Sequence, residues 1–283
     1  MSMIKKLLGA FALTLSCTAA LAAGGDFPLE RAPKNINDMA SLQNGAKLFV
    51  NYCLNCHSAN SMRYNKLADI GLTDDQIRDN LLFTGEKIGD LMHIAMTPQD
   101  AKKWFGTTPP DLSVIARAKS INAGPSGADY LYTYLRTFYR DASKASGWDN
   151  LVFPSVGMPH VMWAQQGPRE LTRTEVHKVA KDGAEGWERV KTTYDAQGFV
   201  SVEKEPLANY TGHGSVENRF KALDPAAARQ FDQDVADLTN FMAWMAEPVK
   251  RQRQQLGVWV LLFLGVFFVV AWRLNASYWK HVK

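Results

Sequence analysis

Cysteine is scarce here, with three residues in 283, at positions 17, 53 and 56. That is too few to staple a scaffold with disulfides, and without a second Cys pair a ribbon-type zinc site lacks ligands. The chain has no internal repeat and no low-complexity tract. An apolar content of 46% against 21% charge is too high for a disordered segment. Mean hydropathy is slightly negative, −0.22, which excludes a polytopic membrane protein. Charge of one sign is also missing. Of 32 basic residues, Lys5 and Lys6 lie in an apolar run at the start that holds no acid; without them 30 face 28 acidic ones. Nothing in that balance points to nucleic acid.

The apolar residues concentrate at the two ends. Residues 1–23 read as a secretory signal: Lys5-Lys6, an apolar stretch over 7–15, then Ala20-Leu21-Ala22 as a small-x-small cleavage site. Cys17 leaves with it, so the mature chain owns two cysteines. Residues 256–272 carry no charge over 17 positions. At about 1.5 Å per residue they span about 25 Å, and flanking residues extend the helix toward the ~30 Å of a hydrocarbon core. Trp259, Trp272, Tyr278 and Trp279 supply interfacial rings, and Arg273 and Lys280 can snorkel. Three cations precede the span (Lys250, Arg251, Arg253) and three follow it (Arg273, Lys280, Lys283), so loop charge does not orient it. The signal does. It predicts an exported domain over 24–250, then an anchor with a short cytoplasmic tail over 251–283, in the inner membrane of a bacterium.

Between the ends the pattern predicts a mainly α domain with long loops. Helical spacing runs over 36–52 and ends at Cys53. A second helix is expected over 72–83, capped by Thr73, and a third over 128–139, with Tyr130, Tyr134, Leu135 and Phe138. The clearest starts at Asp224-Pro225 and repeats Phe231, Val235, Leu238, Met242 and Met245 until Pro248. Residues 106–110, 124–127 and 153–168 read as loops, and 199–202 as one short strand, possible in a hairpin. Loops of this length tend to wrap something.

The chemistry sits in Cys53-Leu54-Asn55-Cys56-His57. Two thiols three positions apart suit the two vinyl groups on one porphyrin edge, and the next residue, a histidine, falls beneath the iron. This is the attachment signature of one covalent haem c, and export agrees with it. Candidates for the sixth ligand are Met62, Met92, Met96, Met158, Met162, His93 and His160. A methionine suits an electron carrier. Met62 is too near His57 to cross the ring plane easily. Met96 and Met158 both lie in proline-bearing segments, and spacing favours Met158 without excluding Met96.

Several phrases resemble the cytochrome c1 family. Ser58, Met62, Arg63 and Tyr64 after the haem motif are one. Others are Pro109-Pro110-Asp111-Leu112-Ser113 followed by Ile115, Arg117 and Ala118; Asp129-Tyr130; Asn150, Phe153 and Pro154 before Gly157-Met158-Pro159; and the 241–250 junction with Ala246-Glu247-Pro248. The resemblance spans nearly the whole mature chain and is weakest over 164–202. It implies the haem subunit of the ubiquinol–cytochrome c oxidoreductase (bc1) complex, receiving electrons from a Rieske iron–sulfur protein and passing them to a soluble or tethered cytochrome c. Cytochrome b and the lipid bilayer are the other implied partners, in a complex that dimerises. By the same resemblance Met158 is the sixth ligand, Arg117 pairs with a haem propionate, Tyr130 lies near the propionates, and Pro110 lines the crevice. No nucleophile or substrate pocket is required.

Two other readings remain at this point. One is another membrane-tethered c-type carrier, such as a haem–copper oxidase subunit; the other is an exported haem enzyme or sensor with an open iron site. The acidic stretch over 69–90 (Asp69, Asp74, Asp75, Asp79, Glu86, Asp90) is a solvated face or a docking surface for a basic acceptor.

Overall fold

Helix starts are where the sequence speaks most directly, and each marks a boundary in the computed structural model, which describes residues 27–181 and 184–281. The predicted leader and Cys17 lie outside those residues. Asp38 caps α1, Met39–Leu48, by accepting the Ala40 and Ser41 amides. The helix then widens into a π-helical turn, Phe49–Cys53, so the segment predicted over 36–52 delivers its end at the first thiol. Thr73 and Gln76 form a reciprocal capping box on α2, Asp74–Asn80. Then follow α3, Pro98–Phe105, α4, Ile115–Ala118, and α5, Gly127–Arg136. The helix predicted to reach 139 stops at Arg136, because Phe138–Arg140 (β3) pairs with Trp148–Asn150 (β4). Ala59–Arg63 (β1) and Leu91–Met92 (β2) make a second small pair. A short helix, α6 (Trp163–Gln166), interrupts the predicted 153–168 loop.

Asp224 caps α7, Pro225–Ala246, which buries all five of the residues its periodicity singled out. α1 and α5 pack on it. Leu42, Ala46, Phe49, Phe231, Leu238 and Phe241 are nearly or wholly inaccessible to solvent, each large side chain contributing about 1.5–3 kcal/mol by burial. Phe49 meets Phe241 with ring centroids 5.5 Å apart.

The expectation of a mainly α domain holds in part: helix makes up about 43% and strand about 20%, well beyond the one short strand expected. Residues 169–207, where the sequence suggested only a short strand at 199–202, join residues 215–222 in building a four-stranded antiparallel sheet. Its strands are β5 (Arg169–Lys181), β6 (Ala184–Tyr194), β7 (Val200–Leu207) and β8 (Ser215–Ala222), in the order β7-β6-β5-β8. Its register puts Leu171, Val190, Val202, Val216 and Phe220 on one face. The other carries cross-strand ion pairs: Arg189–Glu205 at 2.8 Å, Lys191–Glu203 at 3.1 Å and Lys221–Glu170 at 3.1 Å. Arg169 fastens the sheet to the helical domain. It donates to the carbonyls of Arg136 and Phe138 while its guanidinium lies 3.9 Å from the Phe220 ring centroid.

The last helix, α8, spans Lys250–Tyr278. Within it Gln252–Tyr278 holds an 18-residue stretch of mean hydropathy 2.2, none of it buried among the described residues, in a helix long and apolar enough to cross a membrane.

Candidate haem site

The two thiols lie in one tight turn at the end of α1. The Cys53 carbonyl accepts the amides of Cys56, at 3.1 Å, and His57, at 2.9 Å. Both cysteines are free thiols. Cys53 is buried, and burial, helped by the neighbouring Cys56, pushes its pKa up to about 12. Such a sulfur stays protonated, unlike the low-pKa thiolate of a redox dithiol. No group of three or more His, Cys, Asp or Glu side chains that could hold a metal ion forms among the described residues.

His57 is aimed by the proline segment. Its Nδ1 lies 2.8 Å from the Pro110 carbonyl. A carbonyl only accepts, so Nδ1 carries the proton and Nε2 is left with a bare lone pair. Burial lowers the His57 pKa, against the opposing pull of the Pro110 bond and Asp111, and so favours neutral imidazole. The Pro110 segment is itself clipped down. Asp111 accepts the Asn60 amide at 2.7 Å and the Ser113 amide at 2.8 Å, and the Leu112 amide donates to the Ser58 carbonyl at 2.9 Å. Burial would raise the Asp111 pKa, but these bonds and the Ser113 hydroxyl hold it below the usual carboxylate range. The sequence names Pro110 as a crevice wall and holds Asp111 in the same phrase without a role, because its spacing from Asn60 carries no local signal.

Among the candidates for the sixth position, packing separates the methionines. Met62, Met92 and Met162 are buried in the main core, walled in by protein side chains. His160 is caged by aromatic rings, stacked on Phe138 at 4.8 Å and edge-on to Trp148 at 4.9 Å; burial, then the nearby Arg169, lowers its pKa to about 3. Met96 is half-buried and lines a cavity of about 370 Å³ with Cys56, Asp111 and the exposed His93. Met158 is half-buried against the small cluster of Phe138, Trp148 and Val156. The loop that brings it there is folded by two side chains of β4. The Asp149 carboxylate accepts the amides of Ser155 and Val156, and the Asn150 side-chain oxygen accepts those of Val152 and Phe153. The Tyr134 hydroxyl lies 3.4 Å from the Met158 sulfur.

Tyr130 stacks on Tyr134 along α5, centroids 6.0 Å apart and planes within 9°. Lys119 sits over the Tyr130 ring at 4.8 Å, a cation that sequence reading passed over. α5 can approach α4 this closely because position 127 is glycine: a Cβ there would come within 1.9 Å of the Ala116 carbonyl oxygen. Arg117, on α4, is exposed and reaches toward Glu247 at 3.9 Å, at the head of the anchor helix. The structure therefore gathers Cys53, Cys56, His57 and Pro110 at one turn, and Tyr130 with Met158 around Tyr134. Arg117 it directs toward the membrane junction.

Two thiols in one turn and an oriented imidazole beside them are the donor set a covalent haem c needs. The sequence pattern described as the Cytochrome C1 family matches residues 31–185 and 218–282. The chain belongs to the cytochrome c1 family. Members of that family carry a covalently bound haem c. Cytochrome c1 of Allochromatium vinosum is 40% identical over 99% of this chain and 100% of its own length. The protein named ammonia monooxygenase gamma subunit in Nitrosomonas europaea is also 40% identical, over the whole of both chains. Cytochrome c1 of Rhodospirillum rubrum is 26% identical over 87% of this chain and 83% of its own. The stretch outside the family pattern, 186–217, is most of β6, all of β7 and the approach to β8. Over 186–202 it overlaps the region in which the sequence phrases resembled the family least.

Proposed function

We propose that this chain is the electron-transfer subunit of a ubiquinol–cytochrome c oxidoreductase, in which Cys53 and Cys56 would hold one haem c covalently and His57 and Met158 would ligate its iron. When bound, the haem supplies a one-electron iron couple, which is all the redox chemistry the subunit needs. The chain's own residues orient, bury and tune. The observation that carries the reading is the His57–Pro110 bond, which fixes the imidazole tautomer one residue after the second thiol. Pro110 also closes the crevice on that side. Tyr130, with Lys119 above it, and Arg117 on the adjoining helix supply hydroxyl and positive charge for the propionates.

In this reading electrons arrive from a Rieske iron–sulfur protein and leave to a cytochrome c. Cytochrome b and the bilayer hold α8, within a complex that dimerises. The secretory signal places the haem domain on the periplasmic side, with α8 as its single span. Contact with the acceptor must be brief, which suits charge steering over 69–90 better than a large buried interface.

A reduced-minus-oxidised spectrum of the purified membrane complex should resolve b-type and c-type bands together. Cys53→Ala combined with Cys56→Ala should abolish haem that survives acid extraction. Met158→Leu should remove the near-infrared methionine-to-iron band and lower the potential sharply, while Met96→Leu leaves both in place. The opposite pattern would move the ligand to Met96.

A further inference from the structure

Among the described residues, Met158 is the one methionine whose sulfur accepts a hydroxyl hydrogen bond, from Tyr134 at 3.4 Å. A thioether sulfur has two lone pairs and is a weak acceptor. A hydroxyl on one of them leaves the other, and only the other, for a second partner. Tyr134 also grips the Met158 loop at its root, because its backbone carbonyl accepts the Asn150 side-chain amide at 2.7 Å. The ring itself is held on two sides, stacked on Tyr130 and edge-on to Phe138 at 5.2 Å. Nothing in the sequence marks this role, since Tyr134 falls on the helical pattern as an ordinary core position.

We infer that Tyr134 is a positioning residue for the axial methionine: its hydroxyl selects which Met158 lone pair is presented and draws electron density from the sulfur. This rests on Met158 being the ligand. A sulfur that shares a lone pair with a proton is a poorer donor, and a poorer donor favours the reduced over the oxidised iron. Tyr134 therefore raises the potential of the centre above what methionine ligation alone would set.

The test compares three forms of the membrane complex by redox titration and near-infrared spectroscopy: parent, Tyr134→Phe and Met158→Leu. Tyr134→Phe keeps the ring and removes only the donor. It should retain the near-infrared band and shift the redox equilibrium toward the oxidised state by roughly threefold, a fraction of an ordinary hydrogen bond's weight. Both readings come only from haem-loaded molecules, so reduced assembly of a variant does not obscure them. If Met158→Leu loses the band and Tyr134→Phe titrates like the parent or higher, the ligand assignment stands and the role of Tyr134 is overturned. If Met158→Leu keeps the band, the ligand assignment itself fails and Tyr134 has no axial sulfur to act on.

Discussion

Asp129 sits nearly buried at the start of α5 and gathers three donors. They are the Ser126 hydroxyl at 2.7 Å, the Ser126 amide at 2.8 Å, and the Ala32 amide at 2.9 Å from almost a hundred residues upstream. Burial pushes its pKa up, but the Ser126 and Ala32 bonds outweigh burial and hold it below the usual carboxylate value. A depressed folded pKa means that the unfolded chain binds the proton more readily. The stabilisation is therefore present above about pH 4 and drains away as pH falls toward the depressed value. Asp129→Asn should cost about 1–3 kcal/mol at neutral pH. It should also flatten the acid limb of stability, read as the thermal unfolding midpoint of the detergent-solubilised chain between pH 5 and 3. Equal acid slopes for the two proteins would refute the account. At this scale the candidate attachment motif is legible, because chemistry fixes its spacing within five positions. Asp111, Lys119, Tyr134 and Asp149 are not, because each acts on a partner distant in sequence or through a backbone amide that no residue type announces.

Among the elements, α1 and α7 cross closely, and Gly45 permits it. A Cβ at position 45 would fall 2.2 Å from the Asp237 carbonyl oxygen and 2.6 Å from the Phe241 Cβ. Polar groups line the same contact: the Ser41 hydroxyl donates to Asp237 at 2.5 Å, and the Asn44 amide reaches its other oxygen at 2.9 Å. Gly45→Ala should lower stability by about 2–3 kcal/mol through overpacking. Gly257→Ala, in the anchor where nothing lies within 4 Å, should show no such loss. Calorimetry on the two variants decides; matched midpoints would mean the helices separate freely. Helices could be read from the sequence because Thr73 and Asp224 are explicit caps and the apolar period is regular. The sheet escaped because both its faces carry charged residues among scattered apolar ones, and Val202 and Val216 stay exposed. The alternation of a half-buried strand is diluted to the point where it looks like loop.

For the whole molecule, the haem domain and the membrane helix are joined at Glu247. This carboxylate bonds Arg253 at 2.8 Å, lies 3.6 Å from Lys250 and faces Arg117; the Arg253 bond above all holds its pKa below the ordinary range. Since no part of the apolar stretch of α8 is buried among the described residues, a chain ending at residue 250 should leave the membrane fraction and keep its acid-stable haem. Fractionation followed by haem staining checks this, and a truncated chain that stays with the membrane after a high-salt wash would show that the domain has a second attachment.

The pairing of α1 with α7 also sets a sequence of events in time. The helix that carries the thiols is among the first to emerge, and the helix that buries it is the last before the anchor, so Asn44 meets its Asp237 partner across 193 positions. Contacts so far apart form late, after the intervening chain has been ordered. Until residues 225–246 arrive, Leu42, Ala46 and Phe49 lack the helix that completes their burial. A nascent chain halted short of that point therefore presents Cys53 and Cys56 on an unsupported segment. Closure of the domain around the attachment turn is timed by completion of the chain rather than by the appearance of the motif.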